Sequence, residues 1–140
     1  MRALAAVFAF ALWIVSATPG IALDEGERAA VQGIVRSQAE AISRDDAAGA
    51  YSFAAPAIQR MFPTPEVFLE MVRRGYAPVY RNRSFELGEL RDSGGIAALA
   101  AHIVDLEGVA WDALYTLEKQ EDGSWRITSC VLLKAAGQSA

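Results

Sequence analysis

Residues 84–133 read SFELGEL RDSGG IAALAAHIVDL EG VAWDALYTLEK QEDGS WRITSCVLL, and their period decides the fold. Apolar positions recur here every second residue, which is the spacing of a half-buried strand. In the first run Phe85, Leu87 and Glu89 oppose Glu86, Gly88 and Leu90. Asp92-Ser93-Gly94-Gly95 marks a turn, and Ile96 to Leu106 forms a second strand, although its alanines also suit a helix. Glu107-Gly108 predicts a two-residue hairpin. Val109 to Lys119 is the third strand, residues 121–124 a turn, and Trp125 to Leu133 the fourth strand.

Upstream of residue 84 the period is helical. Asp24 is placed to cap a helix running from Glu25 to Arg44, with Glu27 three residues on. Val31, Ile34, Val35, Ala39 and Ile42 form its apolar stripe, and Gln38 sits on the same stripe. Asp45-Asp46 breaks that pattern and caps a shorter helix reaching Ala54, which Pro56 ends. Ala57 to Phe62 adds one turn. Thr64-Pro65-Glu66 is a helix start, with a capping hydroxyl, a proline at the first helical position and an acid in the first turn. Arg73-Arg74 complement the C-terminal end of this helix, and Gly75 predicts a left-handed stop. A linker, residues 76–80, follows.

Helices first and an antiparallel meander afterwards predict an α+β fold. In it, N-terminal helices pack on one face of a curved, mainly four-stranded, cone-like sheet. The topology implies a hollow between the two layers.

The N-terminus carries an address. Arg2 precedes an uncharged run from Ala3 to Val15, followed by Ser16-Ala17-Thr18-Pro19-Gly20-Ile21-Ala22. One basic residue, a short apolar core and a small-residue exit form the pattern of a secretory signal peptide. The core is shorter than the roughly 20 residues that span a bilayer. Cleavage between Ala22 and Leu23 is expected, with an uncleaved N-terminal anchor as the rival. Residues 1–22 are then the signal, 23–134 a single domain and 135–140 a frayed tail. The expected location is periplasmic or secreted.

Composition narrows the partners. The 140-residue chain has a formal charge of −4, and losing Arg2 with the signal leaves −5. Such a domain is a poor match for nucleic acid, or for an anionic membrane surface once the signal is gone. Cys130 is the one cysteine, so no internal disulfide forms. One histidine and one cysteine give no zinc spacing, and no cofactor motif is present.

Three groups of residues carry potential chemistry. His102, the one histidine, shares a strand face with Ala100 and Val104; as a general base it would be oriented by Asp112 on the next strand. The plainer reading is a strand histidine hydrogen-bonded at the sheet surface. Cys130 reads as a buried small hydrophobe more readily than as a reactive thiol. Residues 73–83 gather four arginines and two tyrosines in an otherwise acidic chain. Arg73, Tyr76, Tyr80 and Arg81, joined by Tyr115, would rim a pocket for a small anionic or amphipathic ligand, or form a protein contact. The plainer reading has the first arginines completing a helix end, the tyrosines packing, and Arg81 and Arg83 facing water.

A resemblance enters at this point. The run Ala55-Pro56, Ile58-Gln59, Phe62, Pro65, Phe68, Met71-Val72, Gly75-Tyr76 and Pro78-Val79-Tyr80-Arg81 resembles a bacterial family known as a domain of unknown function (number 4864). Trp111, Tyr115-Thr116-Leu117-Glu118, residues 122–127 and Cys130 extend it over nearly the whole domain. The order of elements is also similar to the cone fold of nuclear transport factor 2, ketosteroid isomerase and polyketide cyclases. These likenesses imply the fold and supply no catalytic residue. They leave three readings open: a domain binding a small ligand or protein partner, an isomerase- or dehydratase-like enzyme in the same cone, and a module that associates, as a homodimer for instance, through its sheet.

Overall fold

The computed structural model describes residues 22–136. The signal reading, apart from Ala22, and the end of the tail lie outside the described residues. Five helices precede four strands: α1 (Glu25–Ser43), α2 (Ala47–Ser52), α3 (Pro56–Met61), α4 (Pro65–Gly75), α5 (Ala77–Tyr80), β1 (Asn82–Ser93), β2 (Ile96–Asp105), β3 (Ala110–Lys119) and β4 (Trp125–Lys134). The strands form one antiparallel meander in the order β1-β2-β3-β4. The expected α+β architecture is therefore present. Among the described residues no helix is long and apolar enough to cross a membrane.

The caps act as the sequence requires. Asp24 accepts from the Glu27 amide at 2.8 Å, and Asp46 from the Gly49 amide at 3.0 Å. Thr64 accepts from the Val67 amide at 3.2 Å. Asp45 takes the left-handed position that ends α1, with φ 56°. Its amide and that of Asp46 donate back to the carbonyls of Ile42 and Ala41, closing the last turn.

Four expectations are corrected. Gly75 does not adopt a left-handed conformation; α4 simply ends into Tyr76, whose φ is −133°. The expected linker forms the short helix α5, with Pro78 in its first turn. The β2–β3 hairpin has a three-residue loop, residues 106–108, in which Gly108 takes φ 84° as the left-handed residue of a type I turn with a bulge. Its geometry is set by Asp105, whose carboxylate accepts from the amides of Glu107 and Val109 and from the Trp111 indole, each at 2.9 Å. Finally, Leu87 and Leu90 share a face. Leu87 pairs with Ala101 and Leu90 with Leu99, so a bulge at residues 88–89 resets the alternation.

One face of the sheet carries the core. Leu99, Ile103, Tyr115, Leu117 and Ile127 are buried there against Val31, Val35 and Ile42 of α1 and Phe68 and Val72 of α4. Ala97 and Ala101 of β2 are fully buried, and their small side chains let α1 and α5 approach the strand. The alanines that left β2 open to a helical reading thus follow strand alternation. The segment 53–55 bonds along the outer edge of β4: Ile127 donates to the Phe53 carbonyl and Ala55 to the Ile127 carbonyl, both at 2.8 Å. That covers the edge of β4 around Ile127, which would otherwise be open to pairing.

Candidate functional site

The helix-facing side of the sheet is not filled completely. A cavity of about 250 Å³ lies between α1, α3, α4 and the β3–β4 side of the sheet. Its walls are apolar: Ile42, Phe68, Met71, Val72 and Ile127 among them. Ile58 and Met61 of α3 and Phe62 just after it also line it, and Met61 is strongly exposed.

A bulge in β4 gives the cavity its polar corner. Thr116 pairs with Ser129 and Leu117 with Ile127, so Thr128 is the extra residue. Its hydroxyl donates to the Thr116 carbonyl at 3.0 Å. The extra residue keeps both Ile127 and Cys130 on the inner face, three positions apart. Cys130 then lies opposite Tyr115, and the Tyr115 hydroxyl meets its thiol. Tyr76 reaches over from the end of α4 and donates to the Cys130 carbonyl at 3.0 Å. Gln38, the one buried polar residue among the described residues, lines the opposite wall and donates to the Ala50 carbonyl at 3.1 Å.

This corner is half-buried and neutral. Burial pushes the Cys130 thiol up to about 11, against a smaller opposing pull from Tyr115. Burial likewise drives the Tyr115 phenol well above its usual range and raises Tyr76, with Cys130 adding to both. All three groups stay protonated near neutral pH, so they offer O–H and S–H dipoles and no charge. No Asp, Glu, His, Lys or Arg side chain is among the lining residues described. The walls therefore suit an apolar body with one hydrogen-bonding group.

The other residues singled out from the sequence lie elsewhere. His102 and Asp112 do meet, Nδ1 to Oδ1 at 2.7 Å, but on the outer face of the sheet, where both are substantially exposed. The imidazole lies over Gly88 of β1; a Cβ there would come within 2.5 Å of Nε2. Glycine at the bulge makes room for the ring.

Arg73, Tyr80 and Arg81 form a wet cluster outside the cavity. Tyr80 donates to Asp45 Oδ1 at 2.5 Å, and Arg81 to Asp45 Oδ2 at 2.8 Å. Arg81 also stacks 4.0 Å from the Tyr80 ring and donates to the Ile42 carbonyl at the end of α1. It is tied into the structure and does not simply face water. Arg73 and Arg74 pair with Glu70, each at 2.7 Å. The Tyr80 hydroxyl and then the Arg81 guanidinium hold the Asp45 carboxyl below its usual range.

The five residues expected to rim one pocket thus divide. Tyr76 and Tyr115 line the cavity, whereas Arg73, Tyr80 and Arg81 do not. The sequence reading missed Met71, Ile58 and Thr128 as cavity residues. Ile58 falls in the run 57–62 that predicts one turn, Met71 in the helix after Thr64, and the bulge at Thr128 has no local signal.

Among curated proteins none matches the chain. The family model for a domain of unknown function (DUF4864) matches residues 24–140, which spans every helix and strand just described. The chain belongs to that family.

Proposed function

We propose that the chain is exported to the periplasm or the exterior, is cut after Ala22, and binds one small, uncharged, mainly apolar molecule. The observation that carries the binding reading is the cavity itself: apolar walls, a neutral tyrosine–thiol corner and no charged lining residue. Its 250 Å³ exceeds the roughly 150 Å³ that accepts a benzene ring. It falls below the range of about 300–1,000 Å³ usual for drug-sized ligands. A compact hydrophobic molecule with one carbonyl or hydroxyl fits these limits. The amphipathic half of the expected ligand class is kept and the anionic half dropped. An anion would lose its hydration with no cation to replace it.

Helices leading into a meander, with a hollow between the layers, also support a likeness to the nuclear transport factor 2 cone. An isomerase-like activity gains nothing from this site. A cavity whose titratable groups are a thiol at about 11 and two raised phenols supplies no general base near neutral pH.

The test is native mass spectrometry of protein purified from its exported compartment, followed by thermal melts with indole and with indole-3-acetate as neutral and anionic probes. Retained small-molecule mass, or a rise in Tm with indole alone, is expected. No retained mass together with no shift from either probe, or a shift from the anion alone, would overturn the reading.

A second reading rests on the outer face. Leu114, Val131 and Leu133 lie close together there, with exposures of 46, 49 and 62%. Clustered exposed aliphatics on a sheet face favour association. Trp111 and Tyr115 of the same strand turn the other way: Tyr115 is buried and Trp111 packs against the core. Sedimentation of the wild type and of a Leu114→Glu variant separates a dimer through this face from a monomer.

A further inference from the structure

Leu23 is the residue that cleavage after Ala22 would leave first in the chain. Ala22 is exposed, whereas Leu23 is 8% exposed and belongs to the core cluster. Its main-chain nitrogen lies 2.7 Å from Asp92 Oδ2, a partner distant in sequence. Asp92 sits near the end of β1 and pairs with Ala97, a fully buried inner-face position. Its carboxylate is therefore on the helix-facing side of the sheet, beside the start of α1. Arg28 of α1 reaches the Leu90 carbonyl on the same strand, which packs this end of the helix over β1.

The charge around this nitrogen is mostly negative. Asp24, Glu25 and Glu27 crowd the first turn of α1, and Asp92 faces them across Leu23. Glu27 is paired with Lys119. A positive group at the Leu23 nitrogen would be complementary to the rest.

Resting on the cleavage reading above, we infer that Asp92 is the acceptor for the α-ammonium group that signal removal creates on Leu23, so that processing completes the fold. Hydrolysis of the Ala22–Leu23 bond adds one water. The carboxylate leaves with Ala22, and the amine left on Leu23 takes up a proton. A neutral amide with one N–H becomes an ammonium with three, at a position already within 2.7 Å of a carboxylate oxygen. The amide bond to Asp92 is already charge-assisted through the carboxylate; the ammonium adds the opposite charge and two further N–H donors at the same place. The unprocessed chain keeps the amide bond and lacks the charge.

The experiment begins with N-terminal sequencing of the exported, full-length-encoded chain; Leu23 is expected as the first residue. Two variants follow: Asp92→Asn, and a Gly-Ser pair inserted between Ala22 and Leu23. The insertion keeps the Leu23 amide opposite Asp92 but moves the new ammonium two residues away. Asp92→Asn should lower the Tm of the processed wild type by roughly 5 °C or more, and clearly less in the inserted chain. Equal losses in both backgrounds would overturn the inference while leaving cleavage standing. A first residue other than Leu23 would overturn both, and sequencing shows which has failed. If Asp92→Asn does not fold, the inserted chain decides alone. A lower Tm than wild type is expected, and an unchanged Tm would refute the ammonium contact.

Discussion

Tyr76 caps and Tyr80 ends the same four-residue helix, α5, yet their hydroxyls meet opposite surroundings. Tyr76 turns into the cavity and bonds a main-chain carbonyl of β4. Tyr80 turns outward and bonds the Asp45 carboxylate. Both phenols are shifted up, for different reasons. Burial is the larger cause at Tyr76, and the hydrogen bond to Asp45 is the larger cause at Tyr80. The inner cluster favours neutral forms because burial disfavours the charged ones. The outer cluster favours a carboxylate beside a guanidinium. The direction of a shift therefore does not locate a binding site; its cause does. The inner cluster borders an apolar cavity, whereas the hollow beside the outer one, lined by Asp45, Glu70, Arg73 and Tyr80, is open and polar.

The two sides of β3 supply the largest test of this contrast. Leu117 is fully buried on the inner side, and Leu114 is 46% exposed on the outer side. Leu117→Ala should destabilise by about 2–5 kcal/mol through lost burial and a new void. Leu114→Ala should stay within about 0.5 kcal/mol. Urea melts of both variants check this. A comparable loss for Leu114→Ala would show that the outer face is covered in solution, which favours the dimer.

Alkaline titration tests the burial of the inner corner. The folded-state pKa of Cys130 is raised to about 11, whereas an unfolded thiol titrates near about 8.5. A raised folded value means the native state holds the proton more tightly than the unfolded chain does. The associated stability is therefore fully present below about pH 8.5 and is lost as pH rises through about 11. The total is on the order of 3 kcal/mol. Cys130→Ala should remove this part of the alkaline slope in urea melts between pH 7 and 11. Identical slopes in the two proteins would mean that the corner is wet. Native Cys130 should also resist iodoacetamide at pH 8 far better than the urea-unfolded chain.

Tyr76→Phe deletes one hydrogen bond to the Cys130 carbonyl and should destabilise by about 1 kcal/mol. It should also weaken the response to indole if the hydroxyl orients a ligand. Unchanged stability together with an unchanged indole shift would remove Tyr76 from the site.

The sequence shows the scaffold better than the cavity, for identifiable reasons. Asp24, Asp46 and Thr64 announce helix starts because a cap bonds its own neighbours. The four strands announce themselves because each keeps its period over several residues. Gly75 is ambiguous, since a helix can also end without a left-handed residue, as α4 does. The bulges at residues 88–89 and at Thr128 leave no local mark. They are set by the register of facing strands, and the His102 ring that needs Gly88 is on another strand. The cavity depends on the Thr128 bulge, because only that extra residue turns Cys130 inward beside Tyr115. Grouping Tyr76 with Tyr80 and the arginines follows from proximity along the chain. Helix α5 then sends the two tyrosines to different sides.

The smallest expected effect belongs to the outer cluster. The Tyr80 hydroxyl, and after it Arg81, lower the Asp45 pKa. A carboxyl whose folded value is depressed contributes stability that is present above its unfolded value, near about 4, and is lost as pH falls through the lower folded value. Asp45→Asn should therefore cost a small amount of stability at pH 7, where exposed pairs contribute weakly, and the cost should vanish as pH falls below about 4. Asparagine is a suitable probe because it tolerates the left-handed conformation that residue 45 adopts with φ 56°. A substitution that strained that turn would mix backbone and charge effects. Thermal melts at pH 3 and pH 7 for the wild type and Asp45→Asn make the comparison. Because the cluster is exposed, added salt should shrink the difference at pH 7, whereas the alkaline slope from Cys130 should be nearly insensitive to salt. If both respond to salt alike, the two tyrosines do not occupy different environments, and the contrast between the inner and outer clusters fails.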